Sequence, residues 1–164
     1  MDMKKEISLK SVQESAEVLY RKGYSCSESL VAAIRDCFDL SISKDVIALA
    51  TGFSGGIGRS GCVCGAVAGG VMSLGMFFGR NELGDSMVEI NHRCSKELHD
   101  YFKEATGKKM VCCRILTRGL DLGKGEHKKQ CTQFVGLVAY KVAEIIVREC
   151  HLINIDLELN DGNT

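Results

Sequence analysis

Apolar positions recur every three or four residues through most of the chain, so the pattern predicts helices and very little sheet. Val12, Ala16 and Leu19 form the first stripe, which starts near Ser8 with Ser11 and Glu14 spaced as a capping box and closes at Gly23. Ser25 and Glu28 repeat the start signal, and Leu30, Ala33, Ile34 and Cys37 continue it as a second amphipathic helix with Cys26 at its inward-facing start. A short helix over 43–50 precedes a glycine-rich loop. Met87, Ile90, Cys94, Leu98, Tyr101 and Ala105 mark a long helix ending at Gly107, and Cys131, Val135, Val138, Val142 and Ile145 mark a last one from about Glu126. Between them, 108–125 reads as an irregular connection with a vicinal pair, Cys112-Cys113.

Two stretches break this amphipathic rule. Cys62 to Phe78 runs seventeen residues without a charge, which is short for a membrane span; with amphipathic helices available to wrap it, it reads as a buried central helix. Gly61, Gly65 and Gly69 recur every four residues and line one of its faces with hydrogen atoms, so that a neighbouring backbone or a compact inorganic group can approach closely. Cys62 and Cys64 then fall in its first turn, where free amide N–H groups and the helix dipole favour a thiolate. At the other end, residues 153–160 alternate with period two, as a strand does. A lone strand cannot stand in water, so 152–164 is a tail that is disordered, pairs with another short segment, or pairs with a second copy of the chain as a homodimer arm. The fold class that follows is all-α, a small helical bundle over 1–151 wrapped around a glycine-rich apolar helix, with a possible short C-terminal strand.

Composition narrows the function. Twenty-one acidic residues balance twenty-one basic ones in 164 residues, so no net field attracts nucleic acid or an anionic membrane. The start, Met1-Asp2-Met3-Lys4-Lys5, lacks the apolar run of a secretory signal, and a cytoplasmic location is expected. Nine cysteines in a reducing compartment point to metal, cluster or redox chemistry more than to a disulfide framework. Gly56-x-Gly58-x-x-Gly61 imitates a dinucleotide fingerprint, but no strand–helix alternation surrounds it and nucleotide binding is not expected. His92 and His99 fall on a polar face and read as solvent-facing; His127, one turn before Cys131, is a weak ligand candidate, and Cys150-His151 closes the last helix.

Helical geometry sorts the cysteines. Cys37 lies eleven residues beyond Cys26, roughly 16 Å along one helix, so the two cannot share a site, and Cys94 reads as a core residue. Cys62 and Cys64 are about 200° apart around a helix, so one of them faces a given point, and the same holds for Cys112 and Cys113. One from each pair, with Cys26 and Cys131, gives four thiols from four elements, the set an iron–sulfur cluster or a structural zinc requires. The spacing is not the C-x-x-C pairing of a zinc ribbon, which makes zinc the weaker expectation.

These residues resemble the redox-active proteins named for their C…GCAxxG…C…C cysteine pattern, small bacterial and archaeal chains common in anaerobes. The family hallmark Cys-Gly-Ala-x-x-Gly is present as Cys64-Gly65-Ala66-Val67-Ala68-Gly69, preceded by a glycine loop that carries Gly58 and Arg59. The outer cysteines of the pattern correspond to Cys26, to Cys113 before Ile115-Leu116, and to Cys131; Cys62 and Cys112 are additional, so the choice within each pair stays open. The resemblance covers about 10–150. It implies a redox role with a bound prosthetic group, most plausibly an iron–sulfur cluster held by Cys26, Cys64, Cys113 and Cys131, with Gly58, Arg59, Gly65 and Gly69 close to it and a redox protein as partner. Similar domains occur in split-Soret-type cytochromes, but the chain has no C-x-x-C-H, so covalent c-type haem is not expected. Two other readings stand beside it: a metal-free thiol–disulfide oxidoreductase using Cys62, Cys64 or Cys112-Cys113, and a structural or interaction domain whose cysteines pack or hold zinc.

Overall fold

A computed structural model describes residues 3–157. The chain runs through strand β1 (Glu6–Ile7), α1 (Leu9–Lys22), α2 (Cys26–Cys37), α3 (Asp45–Ala50), a single 3-10 turn (Thr51–Phe53), α4 (Gly65–Phe78), α5 (Met87–Thr106), α6 (Cys113–Leu116), α7 (His127–Glu149) and β2 (Ile153–Asn154). The all-α expectation holds, and α4 is the buried glycine-rich helix: every residue from Gly65 to Gly70 is out of solvent, and α2, α5 and α7 pack around it. α7 is an equal hub, touching α1, α2, α4 and α5. By length and composition α7 passes for a membrane span, yet four helices cover its apolar face and nothing here indicates one.

Local sequence explains the boundaries. Ser25 and Glu28 form the expected reciprocal cap of α2. The cap of α1 is different: Ser8, not the Ser11–Glu14 pair, accepts the N–H of Ser11 at 3.0 Å, because Asp156 from the end of the chain holds Ser8 in place by accepting its hydroxyl at 2.6 Å. Left-handed glycines at Gly23 and Gly107 close α1 and α5 as predicted. On α5 the core stripe is Cys94, Leu98 and Phe102; Ala105 is exposed, since period 3.6 carries the buried line from 98 to 102 rather than to 101 and 105.

Two further expectations change. The central helix begins at Gly65, with Cys62 and Val63 in extended backbone that bridges antiparallel to Cys112, so Gly61 precedes the helix and is not on its glycine face. The tail pairs within its own chain: β2 lies parallel to β1, Glu6 opposite Ile153 and Ile7 opposite Asn154, which satisfies the strand without a second copy. Residues 155–157 are already helical, and the remainder of the alternating run, 158–160, lies outside the described residues.

The core is continuous. Leu30, Ile34, Phe38, Leu74, Leu98, Phe102, Val135, Val138, Val142, Ile145 and Ile146 are all buried in it. Gly70 belongs to this packing, for a methyl there would strike Val138, Leu98 and Val142. On the outside, Glu97 of α5 accepts from Arg148 and Lys141 of α7 at 2.7 and 3.0 Å, and Arg93 reaches Glu149 at 2.7 Å. α5 is thereby fastened to the C-terminal half of α7.

Candidate functional site

At the opposite end of the bundle the helices do not close. A cavity of about 710 Å³ opens there, lined by Cys26, Cys113 and Cys131 with Tyr20, His127, Arg59 and Arg114 among its walls. The glycine loop forms one side. From Gly55 to Arg59 every residue is left-handed, Ile57 and Arg59 included, at φ 61° and 65°. The turn is held by Gly58 N–H donating to Gly52 at 2.8 Å and Arg59 N–H to Ser54 at 3.0 Å. Gly56 is required for two reasons: its φ is 77°, and a Cβ there would lie 2.6 Å from the Cys62 nitrogen and 2.8 Å from the Cys113 Cβ. The loop is thereby pressed against α6.

Each predicted thiol arrives on its own element. Cys26 is the first residue of α2. Cys64 is the N-cap of α4, and its N–H donates to Val111 at 2.6 Å. Cys113 opens α6, with its N–H donating to Cys62. Cys131 sits in the second turn of α7 and faces the cavity rather than the closed core. Gly65 lets α4 and α2 come together: a side chain there would collide with Cys26 Sγ and stand 3.1 Å from the Phe53 carbonyl. The four sulfurs are close enough to feel one another, since charge on Cys26 acts on Cys64, Cys113 and Cys131, and charge on Cys113 acts on Cys64 and Cys131.

The other predicted residues divide. Arg59 is exposed and stands at the cavity mouth. Gly58 is also exposed and open on its Cβ side, away from the lining. Gly69 packs against the backbone of Ser27, where an added Cβ would lie 2.6 Å from the carbonyl oxygen, so its close approach is to α2. Among the extra cysteines, Cys62 is exposed and Cys112 donates its thiol to the Gly61 carbonyl at 3.0 Å. Of the two pairs, Cys113 lines the cavity, while Cys64 is buried outside its lining; extended backbone and not a helical turn separates Cys62 from Cys64. All nine cysteines are free.

The electrostatics reverse one expectation. Helix N-termini do supply donors: the backbone of Ala66 and Val67 hydrogen-bonds Cys64, and that of Gly55 and Ser27 hydrogen-bonds Cys26. Burial nevertheless outweighs them. It pushes the Cys64 thiol up to about 12 and the Cys131 thiol up to about 11, and raises Cys26 and Cys113 as well. The site by itself keeps these sulfurs protonated. A bound metal would invert that balance, because a coordinated thiol gives up its proton.

Sequence reading overlooked Tyr20. Burial raises its phenol, and its side chain hydrogen-bonds that of Cys131. Its place one turn after Ala16 on the inward face of α1 was the available signal. Arg114 was likewise unassigned; it donates to the Ser60 carbonyl at 2.7 Å and ties the loop to α6. Among the described residues no three His, Cys, Asp or Glu side chains converge as tightly as one metal ion demands; tetrahedral zinc would bring its sulfurs to about 3.8 Å from one another.

Comparison with known proteins adds a family. Residues 24–145 match the family model described as "Putative redox-active protein (C_GCAxxG_C_C)". A protein of Archaeoglobus fulgidus described as "Uncharacterized protein" is 26% identical over 135 residues, covering 77% of this chain and 86% of that one. No solved structure matches.

Proposed function

The chain belongs to the redox-active family with the C…GCAxxG…C…C cysteine pattern, and on that premise we propose that it carries an iron–sulfur cluster on Cys26, Cys64, Cys113 and Cys131 for electron transfer or redox sensing. The observation that carries this reading is that Cys26, Cys113 and Cys131, from three separate elements, line one cavity of about 710 Å³, with Cys64 buried behind it and within electrostatic reach of Cys26 and Cys113. Four thiols from four elements are the number such a cluster takes, and the C-x-x-C pairing of a zinc ribbon is missing from the sequence. Bound there, such a group supplies a one-electron centre.

The chain's own residues then have definite tasks. Desolvation favours the less charged of two redox states, while the amides at Cys26 and Cys64 and the Tyr20 hydroxyl at Cys131 offset negative charge on sulfur and raise the potential. Arg59 at the mouth adds a positive charge where an electron partner would approach. Loading the site must expel protons from thiols that burial holds protonated, so affinity falls as pH is lowered. The same burial works against a metal-free dithiol enzyme, which needs a thiolate at neutral pH.

Protein prepared without oxygen tests the proposal. Iron and acid-labile sulfide in comparable amounts, with an absorption band bleached by one-electron reduction, are expected. Protein that stays metal-free after anaerobic reconstitution and exchanges disulfides through its thiols would overturn the reading in favour of the oxidoreductase.

A further inference from the structure

The lining of the cavity is one-sided in charge: Arg59 and Arg114 belong to it, and no aspartate or glutamate does. Burial keeps the thiols of Cys26, Cys113 and Cys131 protonated, so they bring no negative charge either. The acids nearest in sequence stand outside the lining and are engaged: Asp121 pairs with Lys124 at 3.8 Å, and Glu126 accepts from the Asp121 N–H at 2.7 Å. Among the described residues neither lining arginine is paired with a carboxylate.

Both arginines are seated rather than free on the surface. Gly55 makes room for Arg59, since a Cβ there would lie 3.1 Å from Arg59 Cγ, and Gly61 makes room for Arg114, where a Cβ would stand 3.1 Å from its Nε. Arg114 also donates to the carbonyl of Ser60, the residue after Arg59, which ties the two stretches of rim together. Arg59 holds a left-handed backbone, φ 65°, a conformation that is costly for a residue with a side chain and is concentrated at ligand and active sites.

We infer that the cavity binds a small organic anion, a carboxylate or a phosphate ester, with its acid group on Arg59 and Arg114 and its body against Tyr20 and Leu122. Forked guanidinium donors match carboxylate and phosphate oxygens alike. A volume of about 710 Å³ is that of a small-molecule site and exceeds what a bare inorganic ion fills. The anion goes beyond the cluster reading and does not rest on it: both arginines are exposed at the rim, while the three lining thiols are half-buried.

Metal-free full-length protein, titrated calorimetrically with phenyl phosphate, phenylacetate, inorganic phosphate and benzyl alcohol, tests this. Phenyl phosphate or phenylacetate is expected to bind, and the tighter of the two tells a phosphate ester from a carboxylate. Inorganic phosphate should bind more weakly, and the uncharged alcohol not at all. Arg59→Gln, at an exposed side chain with no hydrogen bond to maintain, should weaken the organic anion about tenfold, and Arg59→Lys by less. Arg114→Gln should weaken it as well. Arg118→Gln, next to Thr117 of the lining but outside it, should leave binding unchanged. Binding of neither organic anion, equal weakening in Arg118→Gln, or inorganic phosphate bound as tightly as the organic probes overturns the inference. No iron enters the measurement, so that failure leaves the cluster reading standing, and protein that takes up no iron on reconstitution leaves the anion site standing.

Discussion

The two halves of α7 serve opposite ends of the bundle. At its start His127 and Cys131 look into open space, with Tyr20, Cys26 and Cys113 around them. Toward its finish Ile145 and Ile146 are sealed in the core, and Arg148 and Glu149 are bound by ion pairs to α5. Cysteines follow the same division. Cys94, fully out of solvent between α5 and its neighbours, is a small apolar filler; Cys131 is half-buried beside two other thiols, Cys26 and Cys113. One end of the helix is built for stability and the other holds polar, desolvated groups apart. A cysteine's role here is set by what stands around it.

Glycine substitutions should break that division most strongly. Gly65→Ala forces a methyl onto Cys26 Sγ and the Phe53 carbonyl; a loss of about 3 kcal/mol in denaturant unfolding, together with loss of iron uptake, is expected. Gly75, in the same helix but with open space at its Cβ, should instead gain about 0.5–1 kcal/mol on change to alanine. Equal effects at the two positions would contradict the close α2–α4 contact.

Serine substitutions sharpen the contrast between the cysteines. Cys94→Ser places a hydroxyl in an apolar interior and should cost about 2 kcal/mol in metal-free protein. Cys131→Ser, beside the Tyr20 hydroxyl and the cavity, should stay within about 0.5 kcal/mol in the same assay.

Alkaline titration separates the ends next. Thiols raised to about 12 at Cys64 and about 11 at Cys131 hold their protons in the folded chain, whereas in the unfolded chain they lose them near 8.5. Stability of metal-free protein should therefore be intact below that pH and decline above it, by up to about 1.4 kcal/mol per pH unit for each such thiol. Cys64→Ala should flatten the decline, as urea midpoints between pH 8 and 11 would show.

The smallest effect belongs to the ion-paired end. Arg148, then Lys141, hold the Glu97 carboxylate down at about 2 against the burial that would raise it. Its stabilising contribution is complete above the unfolded value of about 4.3 and vanishes as pH falls toward 2. Glu97→Gln should cost about 1 kcal/mol at neutral pH, as an exposed network does, and the gap from wild type should close through that acid window.

Much of this division was legible in the chain. Periodicity located the major helices, the Ser25–Glu28 cap fixed where α2 starts, and helical spacing separated Cys26 from Cys37 and Cys94 from the rest. Contacts distant in sequence were not legible. Ser8 caps α1 because Asp156 anchors it, and Cys113 meets the glycine loop because Gly56 has no side chain; neither is written in a local pattern. Period-two alternation overstated the strand over 153–157, for among the described residues there only Ile153 and Asn154 pair with β1 and 155–157 are helical. Charge rules favoured an ionised Cys64 because they count helix amides and not the desolvation that only packing reveals.

The most direct measurement of the central claim is iron per chain, after anaerobic reconstitution, across the nine single Cys→Ser variants, with thermal unfolding to confirm that each is folded. Loss confined to Cys26, Cys64, Cys113 and Cys131, with wild-type iron at Cys37, Cys62, Cys94, Cys112 and Cys150, is the predicted result. Iron retained in the Cys26, Cys64, Cys113 and Cys131 variants, or lost on changing Cys37 or Cys150, would contradict it.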